Sequence, residues 1–304
     1  MMTLEGVDVR PEGLWRAVIR MRAAPDTTPR RSQPGVIRDT SLRTGGRALR
    51  KRTEDAVRLG RMNHLSDEHA QIIEVWRAEA RAEIDGELEA AFERNLVGSQ
   101  EAAGIWPLGQ FRDLDRRRRF VWFRGFTNLA ARAAILATFD GARAGTAHDD
   151  TLKDMLDEPD VLTLRATAAG LGLPKPHGPA PRMHPRGLVL TTIYPTEPDR
   201  IAGFDEFFQD TMAPILRDFG ARILGTFTKQ PEPSAVPAAS PPAASDAFVS
   251  MAWFADVIAY ESFAEYLTPA LKGGRILRAG MDRHLVGHPV VWRLAPTARS
   301  RVPA

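Results

Sequence analysis

The second half of this chain repeats the plan of its first. Gly104, Leu108, Gly109 and Phe111 reappear as Gly220, Leu224, Gly225 and Phe227, each 116 positions later. The same shift sets Phe92 on Phe208 and Leu88 on Phe204, so the register extends back through the preceding segment. Farther on, Trp122-Phe123 meets Trp253-Phe254 at a shift of 131, and the extra 15 residues fall in one Pro/Ala/Ser-rich insertion near 230–246. Self-similarity of this length implies a duplicated domain.

Each copy reads as βαββαβ. In the first, Ile72-Ile73-Glu74-Val75-Trp76 has the β-branched and aromatic content of a strand. Ile84, Leu88, Ala91, Phe92 and Leu96 then recur at helical spacing, with Gly104 suited to the cap. Strands over Trp106 to Arg112 and Phe120 to Phe126 follow, joined by an acidic and arginine-rich hairpin. A helix is expected from Asn128, broken near Gly141 to Gly145 and resuming toward Leu156, before a strand at Val161 to Arg165. The second copy reads as strand Leu188 to Tyr194, helix Asp199 to Phe219, strand Arg222 to Lys229 and strand Phe248 to Phe254. Helix Ile258 to His284, interrupted near Gly273-Gly274, and strand Val290 to Leu294 complete it.

Such a unit puts both helices on one sheet face and leaves the other needing cover. The expected fold is α+β: two ferredoxin-like βαββαβ repeats packed sheet-to-sheet as a pseudo-dimeric α/β barrel. The boundaries read as a basic extension over 1–69, a first domain over 70–166, a linker over 167–186, a second domain over 187–296 and a tail over 297–304.

Charge divides along the same lines. Residues 1–62 carry 14 basic and 7 acidic side chains, a balance of +7, whereas the remainder carries 27 and 31, a balance of −4. A basic arm of this kind is expected to be solvated, and nucleic acid is expected to touch this chain only there. Met62-Asn63, just ahead of the first repeat, offers an alternative start. The chain has no cysteine, which excludes disulfides, thiolate catalysis and Cys-ligated zinc and suits a reducing cytoplasm. No apolar run approaches the roughly 20 residues that span a bilayer, so no membrane partner is expected.

At Gln100-Glu101-Ala102-Ala103-Gly104, Leu108-Gly109-Gln110-Phe111-Arg112-Asp113 and Phe120-Val121-Trp122-Phe123-Arg124-Gly125-Phe126, the chain resembles the NIPSNAP family. The resemblance covers about 70–165 well and 187–296 more loosely. It implies the dimeric α/β-barrel fold, and it implies no defined biochemical role. His148 matches a histidine that commonly follows the family's mid-helix break. The chain departs from the family at the break itself, where Asp140-Gly141-Ala142-Arg143 stands in place of an aromatic pattern.

Strand alternation nominates the site. If Val121 and Phe123 pack on the helices, Trp122 and Arg124 turn into the barrel, and the repeat register adds Trp253. Gln110, Thr226, Thr163 and Trp292 join them by strand parity. A guanidinium beside indole faces and amides suits a planar, anionic or carbonyl-bearing ligand. The bland alternative has the tryptophans filling the core and Arg124 at its rim. His148 beside Asp149 and Asp150 has the makings of a base with its orienting carboxylate, or of a solvated helix start. His284 and His288 have metal-ligand spacing, but Gly287 and Pro289 speak against a continuous helix there. No metal and no cofactor is expected.

Two function classes remain at this level. One is a small-molecule binding protein or cofactor-independent oxygenase acting in the barrel. The other is a scaffold protein that uses its surface and basic arm. Whether an enzyme is encoded, and whether the chain forms homo-oligomers, stays open.

Overall fold

The computed structural model describes residues 68–82, 84, 86–143, 154–168, 171–178, 186–230, 246–268, 271–298 and 300–302. Eight antiparallel strands close into a barrel. In chain order they are β2 (Ile72–Glu79), β3 (Trp106–Asp113), β4 (Arg119–Phe126), β5 (Asp160–Ala166), β7 (Leu188–Thr196), β8 (Arg222–Lys229), β9 (Asp246–Phe254) and β10 (Val290–Pro296). Around the barrel they run β10-β3-β4-β2-β5-β8-β9-β7. Within each half, therefore, the second, third, first and fourth strands lie side by side in that order. The two four-stranded sheets join edge to edge through β5–β8 and β10–β3. A small pair outside the barrel, β1 (His69–Ala70) with β6 (Leu173–Pro174), carries no sequence signal, and it places a strand in the segment expected to be a linker.

Helices flank the barrel. In the first half, α1 runs through Gly86–Phe92, a π-helical turn Glu93–Val97 and Gly98–Ala102, and α2 spans Leu129–Arg143. In the second, α3 runs through Ile201–Phe207, a π-helical turn Phe208–Met212 and Ala213–Asp218. It is followed by α4 (Val257–Tyr266) and α5 (Lys272–Met281). The helix interruption thus falls ahead of Gly273-Gly274, because Leu271 caps the start of α5 in an extended conformation. Both first helices end on a glycine with positive φ, +88° at Gly104 and +79° at Gly220, where a side chain would be strained.

Two layers of core follow from alternation on these strands. Val75, Phe111, Phe123, Leu164, Val189, Phe227, Met251 and Leu294, one from each barrel strand, belong to a single buried cluster, which is the barrel interior. Phe120, Trp122 and Phe126 instead pack with Leu88, Phe92 and Leu96 of α1 and Phe139 of α2. Val121 and Phe123 therefore face the interior, and Trp122 faces the helices.

This reverses the expected assignment of the two faces, and the register also separates the two tryptophans. Both β3–β4 and β8–β9 carry a bulge at the matching place, Pro107/Gly109 and Ile223/Gly225. From there Gln110 pairs Trp122 as Thr226 pairs Ser250, and Arg112 pairs Phe120 as Thr228 pairs Phe248. Phe120 thus corresponds to Phe248, a shift of 128. The 131 shift that aligned the two Trp-Phe pairs differs from this by an odd number, and an odd slip exchanges the faces of a strand. Trp122 and Trp253 consequently lie on opposite sides of the barrel wall.

Candidate functional site

Arg124 is fully engaged on the helix side. It faces Glu74 across β2–β4, and its Nε donates to Glu74 Oε2 at 2.7 Å. Arg132 of α2 donates to Glu74 Oε1 at 2.7 Å, and the Trp76 indole N–H donates to Oε2 at 2.8 Å. The Arg124 guanidinium stacks 4.2 Å from the centre of the Trp76 ring, which in turn stacks on Trp122 at 5.6 Å. Burial pushes the Glu74 carboxyl up, but Arg124, the Trp76 N–H and Arg132 outweigh it and hold its pKa below the ordinary value. This is a satisfied ion cluster clamping α2 to the sheet, and it leaves no room for the role first given to Arg124.

The other nominated residues divide. Gln110 and Thr226 lie on the helix side, opposite Trp122 and Ser250, and so does Thr163, opposite Glu74. Both strand faces are buried here, and β4 is interior-grade from Phe120 to Phe126, so polarity could not identify the inner one. Trp253 and Trp292 do belong to the interior. His148 lies outside the described residues. His284 stacks on Phe207 at 5.9 Å rather than joining a ligand set. Among the described residues no group of three His, Asp or Glu side chains could hold a metal ion.

What the sequence reasoning missed is Arg77. It shares the interior face of β2 with Ile73 and Val75, and its guanidinium lies 4.2 Å from the centre of the Trp292 ring. Since β2 and β10 are separated by β3 and β4 in the barrel, this side chain reaches across the interior. One end of its guanidinium is ion-paired with Asp160, its cross-strand neighbour. Burial lowers the Arg77 pKa, Asp160 opposes that, and the nearby Arg119 and Arg116 add to it. The Nε of Arg77 is buried without a hydrogen-bond partner. Thr191, the cross-strand neighbour of Trp292 on β7, is wholly buried and has an equally unpartnered Oγ1.

A signal for this site was present in the repeat. The pair Arg77/Asp160 occupies the place that Ile193/Val290 takes in the second half, and Val75/Leu162 the place of Thr191/Trp292. Arg77 and Thr191 are thus the polar members of positions that are apolar in the other copy. Deeper in, Phe111, Phe123, Phe227 and Met251 are almost completely buried and fill the middle.

No family model and no curated protein matches the chain. Among solved structures, it is similar to an anthrone oxidase-like protein at 12% identity, covering 75% of this chain and 92% of that one, with a TM-score of 0.47. A candidate monooxygenase from Lactobacillus acidophilus is similar at 12% identity over 74% and 94% of the two chains, TM-score 0.45. A mutant chlorite dismutase from Candidatus Nitrospira defluvii is similar at 11% over 75% and 92%, TM-score 0.39. Scores and identities this low carry nothing about activity, and the barrel described above rests on its own strand pairing.

Proposed function

We propose that this chain is a NIPSNAP-like protein of the dimeric α/β-barrel class, with ferredoxin-like units over 70–166 and 187–296, that binds a small molecule inside its barrel. The observation that carries the reading is the pair of buried, unpartnered polar atoms, Arg77 Nε and Thr191 Oγ1, whose residues both adjoin Trp292. An unsatisfied buried donor costs roughly 1–3 kcal/mol, so such atoms are retained where a partner arrives. Each can donate to an acceptor oxygen of a ligand, and the indole offers an apolar flank. The ligand class is therefore a small planar molecule bearing a carbonyl or carboxylate oxygen. The filled middle of the barrel keeps it at the Arg77 end, behind Asp160. Oxygenase-type turnover of such a ligand is a further step that the residues named here leave unassigned.

The test is native mass spectrometry of the full chain as purified, followed by titration with aryl carboxylates monitored by tryptophan fluorescence. Saturable quenching is expected, weakened at least tenfold in both Arg77→Met and Thr191→Val. If wild type and Arg77→Met respond alike, or a crystal structure shows only water between Arg77 and Thr191, the reading fails. Function then moves to the surface of the molecule.

A further inference from the structure

The hairpins that join the second and third strands are a further place where the two halves part company. In the first half β3 turns into β4 through Leu114-Asp115-Arg116-Arg117-Arg118. In the second, β8 and β9 are joined by residues 230–245, which hold neither lysine nor arginine. The connection itself therefore does not call for the arginines.

The first hairpin is fastened by its backbone. Asp115 N–H donates to Asp113 Oδ1 and Arg119 N–H to the Arg116 carbonyl, both at 2.8 Å. On one side Ala80 N–H donates to the Arg118 carbonyl at 2.6 Å, and Ala80 stands three residues beyond Arg77. On the other, Leu114 N–H donates to the carbonyl of Arg293, the residue after Trp292, at 2.8 Å. The hairpin thus bonds to both segments whose side chains, Arg77 and Trp292, meet across the interior. Arg116 and Arg119 are near enough to lower the Arg77 pKa.

The other arginines of this rim are paired: Arg77 with Asp160, Arg119 with Glu79, Arg293 with Asp115 and Arg81 with Asp157. The Asp113 carboxylate is engaged by the backbone of the turn. Arg116, Arg117 and Arg118 are exposed, and among the described residues their guanidiniums meet no carboxylate. Three successive like charges repel one another, and an anion arriving from solution relieves that repulsion.

We propose that the arginine hairpin is the phosphate-binding rim of the barrel site, so that the ligand is a phosphate monoester of a planar carbonyl or carboxylate compound. The inference rests on the barrel reading above and adds a second anchor to it. A phosphate monoester brings a charge of roughly −1.5 to −2 and three strong acceptor oxygens, which adjacent guanidinium forks answer with paired donors. A second carboxylate brings one charge and two oxygens, and leaves more of the hairpin unanswered.

The probes are benzoate, phenyl phosphate and 4-carboxyphenyl phosphate, each titrated into the full chain and followed by tryptophan fluorescence and phosphorus NMR. Wild type is expected to bind 4-carboxyphenyl phosphate at least tenfold more tightly than benzoate. In Arg116→Gln/Arg117→Gln/Arg118→Gln that advantage is expected to vanish while benzoate binding and thermal unfolding stay unchanged. Arg77→Met is expected to lose benzoate and keep phenyl phosphate. Failure of benzoate to bind wild type, with phenyl phosphate bound and lost in the triple variant, would sink the barrel reading and leave the hairpin an anion site. Equal affinities of wild type and triple variant for both phosphates overturn the proposal. So does a single-stranded oligonucleotide that displaces 4-carboxyphenyl phosphate and binds more tightly, since the hairpin would then serve nucleic acid.

Discussion

The two halves of the barrel share a strand plan and differ in what they bury beneath their helices. In the first, Glu74 faces Arg124 and Trp76 faces Trp122 across β2–β4. In the second, the matching pairs across β7–β9 are Leu190 with Ala252 and Thr192 with Ser250. One half holds its helix through a buried ion cluster, and the other through apolar contact and hydroxyls. Tyr194, wholly buried, hydrogen-bonds Ser250 and Thr192 there, and burial pushes its hydroxyl up to about 12. The same backbone thus accepts either solution, so the charges of the first half are not required by the fold. A buried ion cluster gives little net stability over an apolar one, but breaking it is costly.

That contrast yields the largest effect. Glu74→Ala leaves Arg124, whose side chain is 7% exposed, without its carboxylate, and is expected to cost about 3–5 kcal/mol in urea unfolding at neutral pH. The double variant Glu74→Leu/Arg124→Ala, which installs the second-half pair, is expected to lose much less, since Arg132 can turn to solvent. An equal or larger loss in the double variant would mean that the ion cluster itself stabilises the first half. The pH dependence has a definite sign. Because the Glu74 carboxyl is held below its ordinary value, its contribution is present above that value and is lost as pH falls through the lowered one. Wild type should therefore lose stability in acid more steeply than the double variant.

The tryptophans sharpen the comparison at the next level. Trp122 is 6% exposed and sits edge-on to Phe92 of α1 at 5.3 Å, whereas Trp253 is only partly buried against the interior cluster. Trp122→Ala is expected to cost about 3–5 kcal/mol, the usual penalty for emptying a packed aromatic site, and Trp253→Ala clearly less. Comparable losses would mean that the two rings occupy equivalent environments, as the 131 shift had suggested.

The architecture was legible because glycines and apolar spacing fix it. Gly104 and Gly220 end the first helices, Gly109 and Gly225 mark the bulges, and the strand Arg222–Lys229 was read to the residue. The inner face was not legible. Alternation identifies a face only where one side meets water, and β4 is buried on both sides from Phe120 to Phe126. With polarity silent, placing Val121 and Phe123 against the helices carried Arg124 and, by parity, Gln110 into the wrong layer, and the odd 131 offset then made Trp253 look like the counterpart of Trp122. Arg77 escaped notice for the same reason, lying just past Ile72–Trp76, where the strand was expected to end. Reading each polar residue against its partner 116 positions away would have found it, since Arg77 corresponds to Ile193.

The smallest effect concerns two threonine hydroxyls, one on β8 and one just after β10. Thr226→Val removes a hydroxyl bonded to Thr167 at 2.7 Å and leaves that half-buried partner unpaired, so a loss of about 1 kcal/mol is expected. Thr297→Val removes a hydroxyl that has no protein partner, and its loss is expected to be smaller. Thermal unfolding of the two variants side by side decides whether the halves differ there in earnest. If Thr297→Val costs as much as Thr226→Val, its hydroxyl is already bonded in solution, and the first half is as well satisfied as the second. If it costs less, or raises stability, the first half carries open hydrogen-bonding capacity that the second has closed.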